Sequence, residues 1–255
     1  MASSNEVIGR NNKAELLLEL FSEEIPARMQ AKAASDLKRL VTDKLKGAGL
    51  NFDQADAYAT TRRLCLHITG LDTEQPDVSE ERRGPRADAP ERAIEGFLKG
   101  AGVTRDRTEI REEKKGTFLY AIIERKGCKT SDVLAEFLPE IIRNFPWPKS
   151  QRWGDKSLRW VRPLHSILCL FDGDVVGFDL DDLRSGNQTQ GHRFLAPEPF
   201  EVSSFADYQA GLKAANVILD PVERKELIHT AAMNLAQEAG LNLMEDEGLL
   251  DEVVG

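Results

Sequence analysis

The sequence predicts an α+β fold in which mixed β-sheets pack against helices. Two observations predict it. Short apolar runs of strand length are interspersed, at irregular spacing, with amphipathic stretches of helical period. Apolar runs flanking Gly173 read as a hairpin, which argues against clean parallel α/β alternation.

The elements follow in order. Residues 14–21 form an apolar run short enough for a strand, with Leu16, Leu18 and Leu20 on one face. Ser22-Glu23-Glu24-Ile25-Pro26 then reads as a helix start. Ser22 or a neighbour caps it, the acids suit the positive helix end, and Pro26 fits the first turn. The helix runs to about Lys46 on the stripe Met29, Ala33, Leu37, Leu40 and Val41, and Gly47 and Gly49 end it. Residues 58–71 read as one strand, with Leu64, Leu66 and Ile68 alternating with Arg63, Cys65 and His67. Residues 72–90 carry charge, Pro and almost no large apolar side chain, the pattern of a mobile or ligand-contacting loop.

A short amphipathic helix is predicted over 91–100 and a strand over 116–126. Ser131 or Asp132 caps the next helix, whose stripe includes Leu134, Phe137, Leu138, Ile141 and Ile142, and Pro139 is expected to kink it. The hairpin comprises 164–172 and 175–180, and 200–203 is a further strand. Helices are predicted over 205–215 and 221–239, the second capped by Asp220 and stopped by Gly240. Residues 244–255 are acidic and then apolar, and stop at Val253-Val254-Gly255 in what reads as the beginning of another strand. At 255 residues the chain has room for about one or two domains. The expected division is a flexible tail over 1–13, an α+β domain over 14–203, and a helical segment over 204–255 leading into a region cut short.

Composition narrows the function classes. The formal charge is −9 and the pI about 5.1, so a chain that grips nucleic acid with its whole surface is excluded. Any such contact must come from a local basic patch. A mean hydropathy of −0.40 and the lack of a long uncharged apolar run argue against a membrane span. Three cysteines, with no C-x-x-C, argue against a disulfide framework or zinc ribbon and for a reducing, cytoplasmic setting. There is no P-loop, no G-x-G-x-x-G, no H-E-x-x-H and no G-x-S-x-G. The four histidines are scattered, without helical metal-pair spacing. No catalytic residue and no metal ligand is therefore expected.

One basic stretch stands out. Residues 146–163, PWPKSQRWGDKSLRWVRP, hold five basic residues against the single acid Asp155, a local charge of +4, together with all three tryptophans. Arg and Lys neutralise phosphates and Trp stacks on bases, a pattern that suits RNA. The same residues equally suit core packing or an intersubunit surface, with Arg lying over Trp faces. Gly191-His192-Arg193-Phe194 has the same double character. Gly permits close backbone approach and His and Arg reach phosphate or 2′-hydroxyl, unless the Arg merely pairs with a nearby acid.

Seven motifs stand in a recognisable order: LLLELFSEEIPARM, TTRRLCLHITGL, EERRGPR, AIEGFLKGAGV, PKSQRWGD, RWVRPLHSILCLFDGDVV and SGNQTQGHRF. In that order the chain resembles the beta subunit of bacterial-type, two-subunit glycyl-tRNA synthetase, from about Ala14 to the last residue. Gln151 stands where the family pattern K-S-M-R-W-G has Met. The resemblance implies an N-terminal piece of a longer subunit, similar in fold to the editing-type domain of the phenylalanyl-tRNA synthetase beta chain. It implies an enzyme that joins glycine to tRNA(Gly) using ATP and Mg²⁺, with the adenylate-forming site on the alpha subunit and no cofactor in this chain. The beta subunit would contribute tRNA binding and assembly with alpha, and neither DNA nor membrane is expected as a partner. The contact residues expected are Arg152, Trp153, Arg159, Arg162, His192 and Arg193, with Arg62, Arg63 and Arg83 behind them. Their role would be phosphate contact and stacking. The alternative is a purely structural domain that docks alpha or the rest of beta. A vestigial hydrolytic editing domain lacks the nucleophile and metal pair it would need.

Overall fold

Strand β1 (Lys13–Ser22) is apolar at nearly every position because it lies inside a sheet covered on both faces. The computed structural model describes residues 12–113 and 116–255. The tail expected over 1–13 lies outside them apart from its last two residues, and Lys13 already opens β1. Chain contacts divide into two compact units. One comprises the chain up to Thr73 together with Thr130 onward, and the other is Glu74–Lys129.

In the first unit, α1 (Ala27–Gly47) follows β1, and a hairpin of β2 (Gln54–Thr60) and β3 (Arg63–Asp72) follows α1. The single strand expected over 58–71 is thus interrupted by a turn at Thr61–Arg62. After the second unit the chain continues through α3 (Thr130–Arg143), β7 (Leu164–Phe171), β8 (Asp174–Val175), β9 (Asp179–Leu180) and β10 (Leu183–Gly186). The sheet order is β2-β3-β1-β7-β10-β9, with β8 paired to β7. Only β10 runs parallel to its neighbour β7; the other pairs in this sheet are antiparallel. The expected hairpin turns at Asp172-Gly173, both at positive φ (54° and 80°), as a two-residue turn matching strand twist requires.

Each face of β1 feeds a different core. Leu16, Leu18 and Leu20 join Leu37, Val41 and Leu45 of α1 and Leu134 and Leu138 of α3. Burying such a leucine is worth roughly 1.5–3 kcal/mol. Leu17 faces the other way, into a smaller core with Cys65, Leu168, Tyr208 and Leu212. This second core is closed by the small sheet of β11 (Gln188–Gln190) and β12 (Pro199–Glu201) and by α4 (Phe205–Ala214), whose start is capped by Ser204. Then follow α5 (Pro221–Glu238), capped by Asp220 as expected, and α6 (Glu247–Val254).

Three further expectations are corrected. Ser22 does not cap α1; it is the last residue of β1, and α1 begins after Pro26 without a side-chain cap. The helix expected to be capped by Ser131 or Asp132 already includes both, starting at Thr130, whose Oγ1 donates to the Asp72 carbonyl (2.6 Å). The C-terminal segment is a helix, not a strand, because Asp246 accepts from the Leu249 amide and so opens α6.

The second unit holds β4 (Val78–Arg86), α2 (Glu91–Ala101), β5 (Thr108–Glu113) and β6 (Gly116–Arg125), in sheet order β4-β6-β5. Within the loop expected over 72–90, residues 78–86 are therefore a strand, and β5 is a strand that no alternation in the sequence predicts. Both are edge strands whose charged side chains pair across the sheet rather than bury. Arg111 is held bidentately by Glu81 (2.6 and 2.7 Å), and Arg83 pairs with Glu113 (3.0 Å). Among the described residues no helix is long and apolar enough to cross a membrane.

Candidate functional site

The expected contact residues of the first unit fall into two sites joined by the chain segment between β1 and α1. The basic stretch wraps past the end of α3 and returns to the sheet at β7. Its backbone closes on itself through a bridge between Gln151 and Trp160, with N···O distances of 2.8 and 3.2 Å. Gln151 contributes to this bridge through its main chain and its side chain is exposed, so the departure from the family pattern is harmless there.

The tryptophans of this stretch belong to the core. Trp160 is fully buried, with its ring 5.0 Å from Trp147 edge-on and 5.1 Å from Phe145. Trp153, expected to stack on a base, is half-buried against the same core. The charges face the other way. Arg152, Arg159 and Arg162 are exposed, and the last two donate only to neutral oxygens of Ser150 and Val161. Lys156 is neutralised by Asp182 (2.5 Å). Asp181 anchors the stretch, accepting from Ser157, from the Leu158 amide (3.1 Å each) and from Arg143 (2.6 Å), which holds its carboxyl below the usual range.

Arg162 and Lys149 form one wall of a groove of about 360 Å³, and the first turn of α1 forms the other with Pro26, Arg28 and Met29. No acidic residue lines this groove, and the first turn of α1 carries none. Arg28 carries no signal in the sequence, and Lys149 is marked there only as one of the basic residues of the stretch. Arg28 sits in an ordinary amphipathic helix, and only the fold brings it opposite the basic stretch. Two cations facing a helix start that carries a third, without a carboxylate, form a surface suited to phosphate oxygens.

The second site gathers Arg62, Arg63, His192 and Arg193 around a cleft of about 280 Å³. Glu23 is its hub. Its Oε1 meets His165 Nε2 (2.8 Å) and lies 3.6 Å from Arg62, and its Oε2 pairs with Arg193. Glu23 and Glu24, expected as helix-start acids, are counter-ions instead. The hydrogen bond from His165, with that from Arg193, draws the Glu23 carboxyl below its ordinary value despite the opposing effect of burial. A lowered carboxylate value stabilises the fold above the unfolded value and loses that contribution as pH falls through the folded one. Glu23→Gln should therefore lower the melting temperature at pH 7, and the difference from the parent should shrink as pH falls through and below the carboxylate range. A difference that does not shrink with falling pH would show that Glu23 does not act through its charge.

Arg63, expected as an RNA contact, is enclosed: its side chain is 2% exposed, 3.5 Å from the buried Glu19, and donates to the Gln190 carbonyl (2.8 Å). It lies on the second-core face of β3, where alternation puts it beneath β11. Arg224 of α5 was missed because nothing local marks it. It spans the cleft wall by donating to the carbonyls of Ala59, Ile218, Leu219 and Val254. Arg83 belongs to the second unit, on β4, where its guanidinium lies 3.8 Å above the Phe118 ring. Among the described residues no group of three or more His, Cys, Asp or Glu is placed to hold a metal ion.

The family model described as glycyl-tRNA synthetase beta subunit matches residues 16–255. Curated relatives named glycine–tRNA ligase beta subunit are 52% identical over 245 residues in Paracoccus denitrificans and 55% over 245 residues in Cereibacter sphaeroides. A third, from a Ruegeria species, is 54% identical over 246 residues. These alignments cover 94–95% of this chain but 35–36% of each relative, so the chain spans about a third of the length of the relatives it matches.

Proposed function

Because the chain belongs to the glycyl-tRNA synthetase beta-subunit family, we propose that it is the tRNA-binding and subunit-assembly part of the beta subunit of a glycine–tRNA ligase. In this reading the alpha subunit carries the site that uses ATP and Mg²⁺ to activate glycine, and the enzyme works in the cytoplasm. This chain holds tRNA(Gly) and docks alpha. The observation that carries the RNA contact is the acid-free groove between Arg28 at the start of α1 and Lys149 and Arg162 of the basic stretch. On a chain of net charge −9, such a confined patch gives phosphate contact without general stickiness toward nucleic acid.

The reading is tested by titrating tRNA(Gly) into the alpha–beta enzyme at several salt concentrations. Arg162→Ala should weaken binding most at low salt and reduce the slope of log affinity against log salt by about 0.9, one phosphate contact. An unchanged slope with the fold intact would overturn the groove as an RNA contact. That outcome would favour the second reading, a domain that only docks alpha or the rest of beta. Its supporting observation is that the tryptophans of the basic stretch are packed inward.

A further inference from the structure

We propose that the cleft walled by Arg62, Arg193 and the loop at His192 is a binding site for a single unpaired nucleotide, its phosphate on these cations and its base on Phe194. The source of that nucleotide, an RNA strand, rests on the reading above; the pocket itself does not.

The cleft is built rather than incidental. Gly191 lets the loop close against Ala215 and Ala196: a Cβ there would lie 2.7 and 2.9 Å from their carbonyl oxygens. His192 then folds back so that its Nδ1 accepts from the amides of Phe194 and Leu195 (3.2 Å each). That assigns the ring proton to Nε2, a donor without a partner among the described residues. Arg63 backs the cleft but stays sealed against Glu19, so the guanidiniums that open onto the cleft are those of Arg62 and Arg193. At the open cleft Arg62 and Arg193 share Glu23, with Glu24 3.6 Å from Arg193, while Arg224 feels Asp220 and spends its N–H groups on carbonyls. Burial, and then the neighbouring Arg193 charge, draw the Arg62 value down against the opposing pull of Glu23 and Glu24.

An anion answers the unused donors, and a phosphate presents several oxygens to such a fork of N–H groups. The aromatic neighbour argues for more than a bare anion. Phe194 is 81% exposed, although it follows directly on Arg193 and His192. Val217 and Ile218 add apolar wall. A flat exposed ring beside cations is the arrangement on which an unstacked base lies while its phosphate is held. The volume, about 280 Å³, admits one nucleotide and not a duplex.

The test is calorimetric titration of the 255-residue chain with adenosine 5′-monophosphate, adenosine and inorganic phosphate in turn. The monophosphate should bind at least about tenfold more tightly than either part. Phe194→Ala, an exposed position that leaves the fold intact, should weaken the monophosphate about tenfold and leave phosphate unchanged. Arg193→Ala should weaken both the monophosphate and phosphate. Equal affinity for phosphate and the monophosphate, an unaltered monophosphate affinity in Phe194→Ala, or no binding at millimolar monophosphate would each overturn the proposal. Failure here with the salt-dependent effect of Arg162→Ala intact removes the cleft and keeps the groove. Binding here with no effect of Arg162→Ala keeps the nucleotide pocket and removes the groove.

Discussion

Replacing Trp160 by Ala should cost the chain about 3–5 kcal/mol of stability. The ring is fully buried where the basic stretch rejoins the sheet, and it is the largest fully buried side chain described. It is gripped by Phe145 and Trp147 at centroid distances of 5.1 and 5.0 Å, contacts that add to area burial. Its backbone bridges Gln151, so the neighbours cannot relax easily into the vacated space. Because Nε1 donates to nothing, Trp160→Phe should cost far less than the Ala change. Denaturant unfolding of the three proteins measures this. A loss below about 1 kcal/mol in the Ala variant would contradict a structural role for this tryptophan.

An equally large loss, about 3–5 kcal/mol, is expected for Glu19→Ala. Glu19 is fully buried on β1 and accepts from Thr189 Oγ1 (2.6 Å) and Tyr208 Oη (2.5 Å), with Arg63 Nε 3.5 Å away. Removing the carboxylate strands the Arg63 charge and two hydroxyl donors in a low-dielectric site, where leaving one partner unpaired costs more than the pair contributes. Burial, and then the Glu19 charge, push the Tyr208 phenol well up, so it stays a donor throughout the accessible pH range. Exchanging both ions for apolar side chains, Glu19→Leu with Arg63→Met, should recover most of the loss. Recovery distinguishes the stranded charge from a mere cavity. If Glu19→Ala unfolds at the same denaturant concentration as the parent, the network does not hold the second core.

Most of the first unit was legible because its strands and helices carry strong periodic signals. The stripe of α1 and the Gly173 turn are examples, both dictated by short-range geometry. The two edge strands of the second unit were illegible for the opposite reason. Glu81, Arg83, Arg111 and Glu113 satisfy one another across the sheet, so these strands need no apolar alternation. The end of the chain misled because Leu249, Leu250, Val253 and Val254 suit either a strand or one face of a short helix, and the Asp246 cap decides between them.

The candidate sites divide along the same line. By itself the sequence determined the family, the α+β class and the basic stretch, because motif order and local charge are properties of the chain taken in line. Only the tertiary structure decided which of those charges are free. Arg63 and Arg193 look alike in sequence, yet one is sealed against Glu19 and the other opens onto a cleft, tethered to Glu23 across 170 residues. The tryptophans and arginines of the basic stretch alternate in line and separate in space, rings inward and guanidiniums outward. Apolar area is driven from water and charge is held in it, and that sorting happens only when distant segments close around a common core.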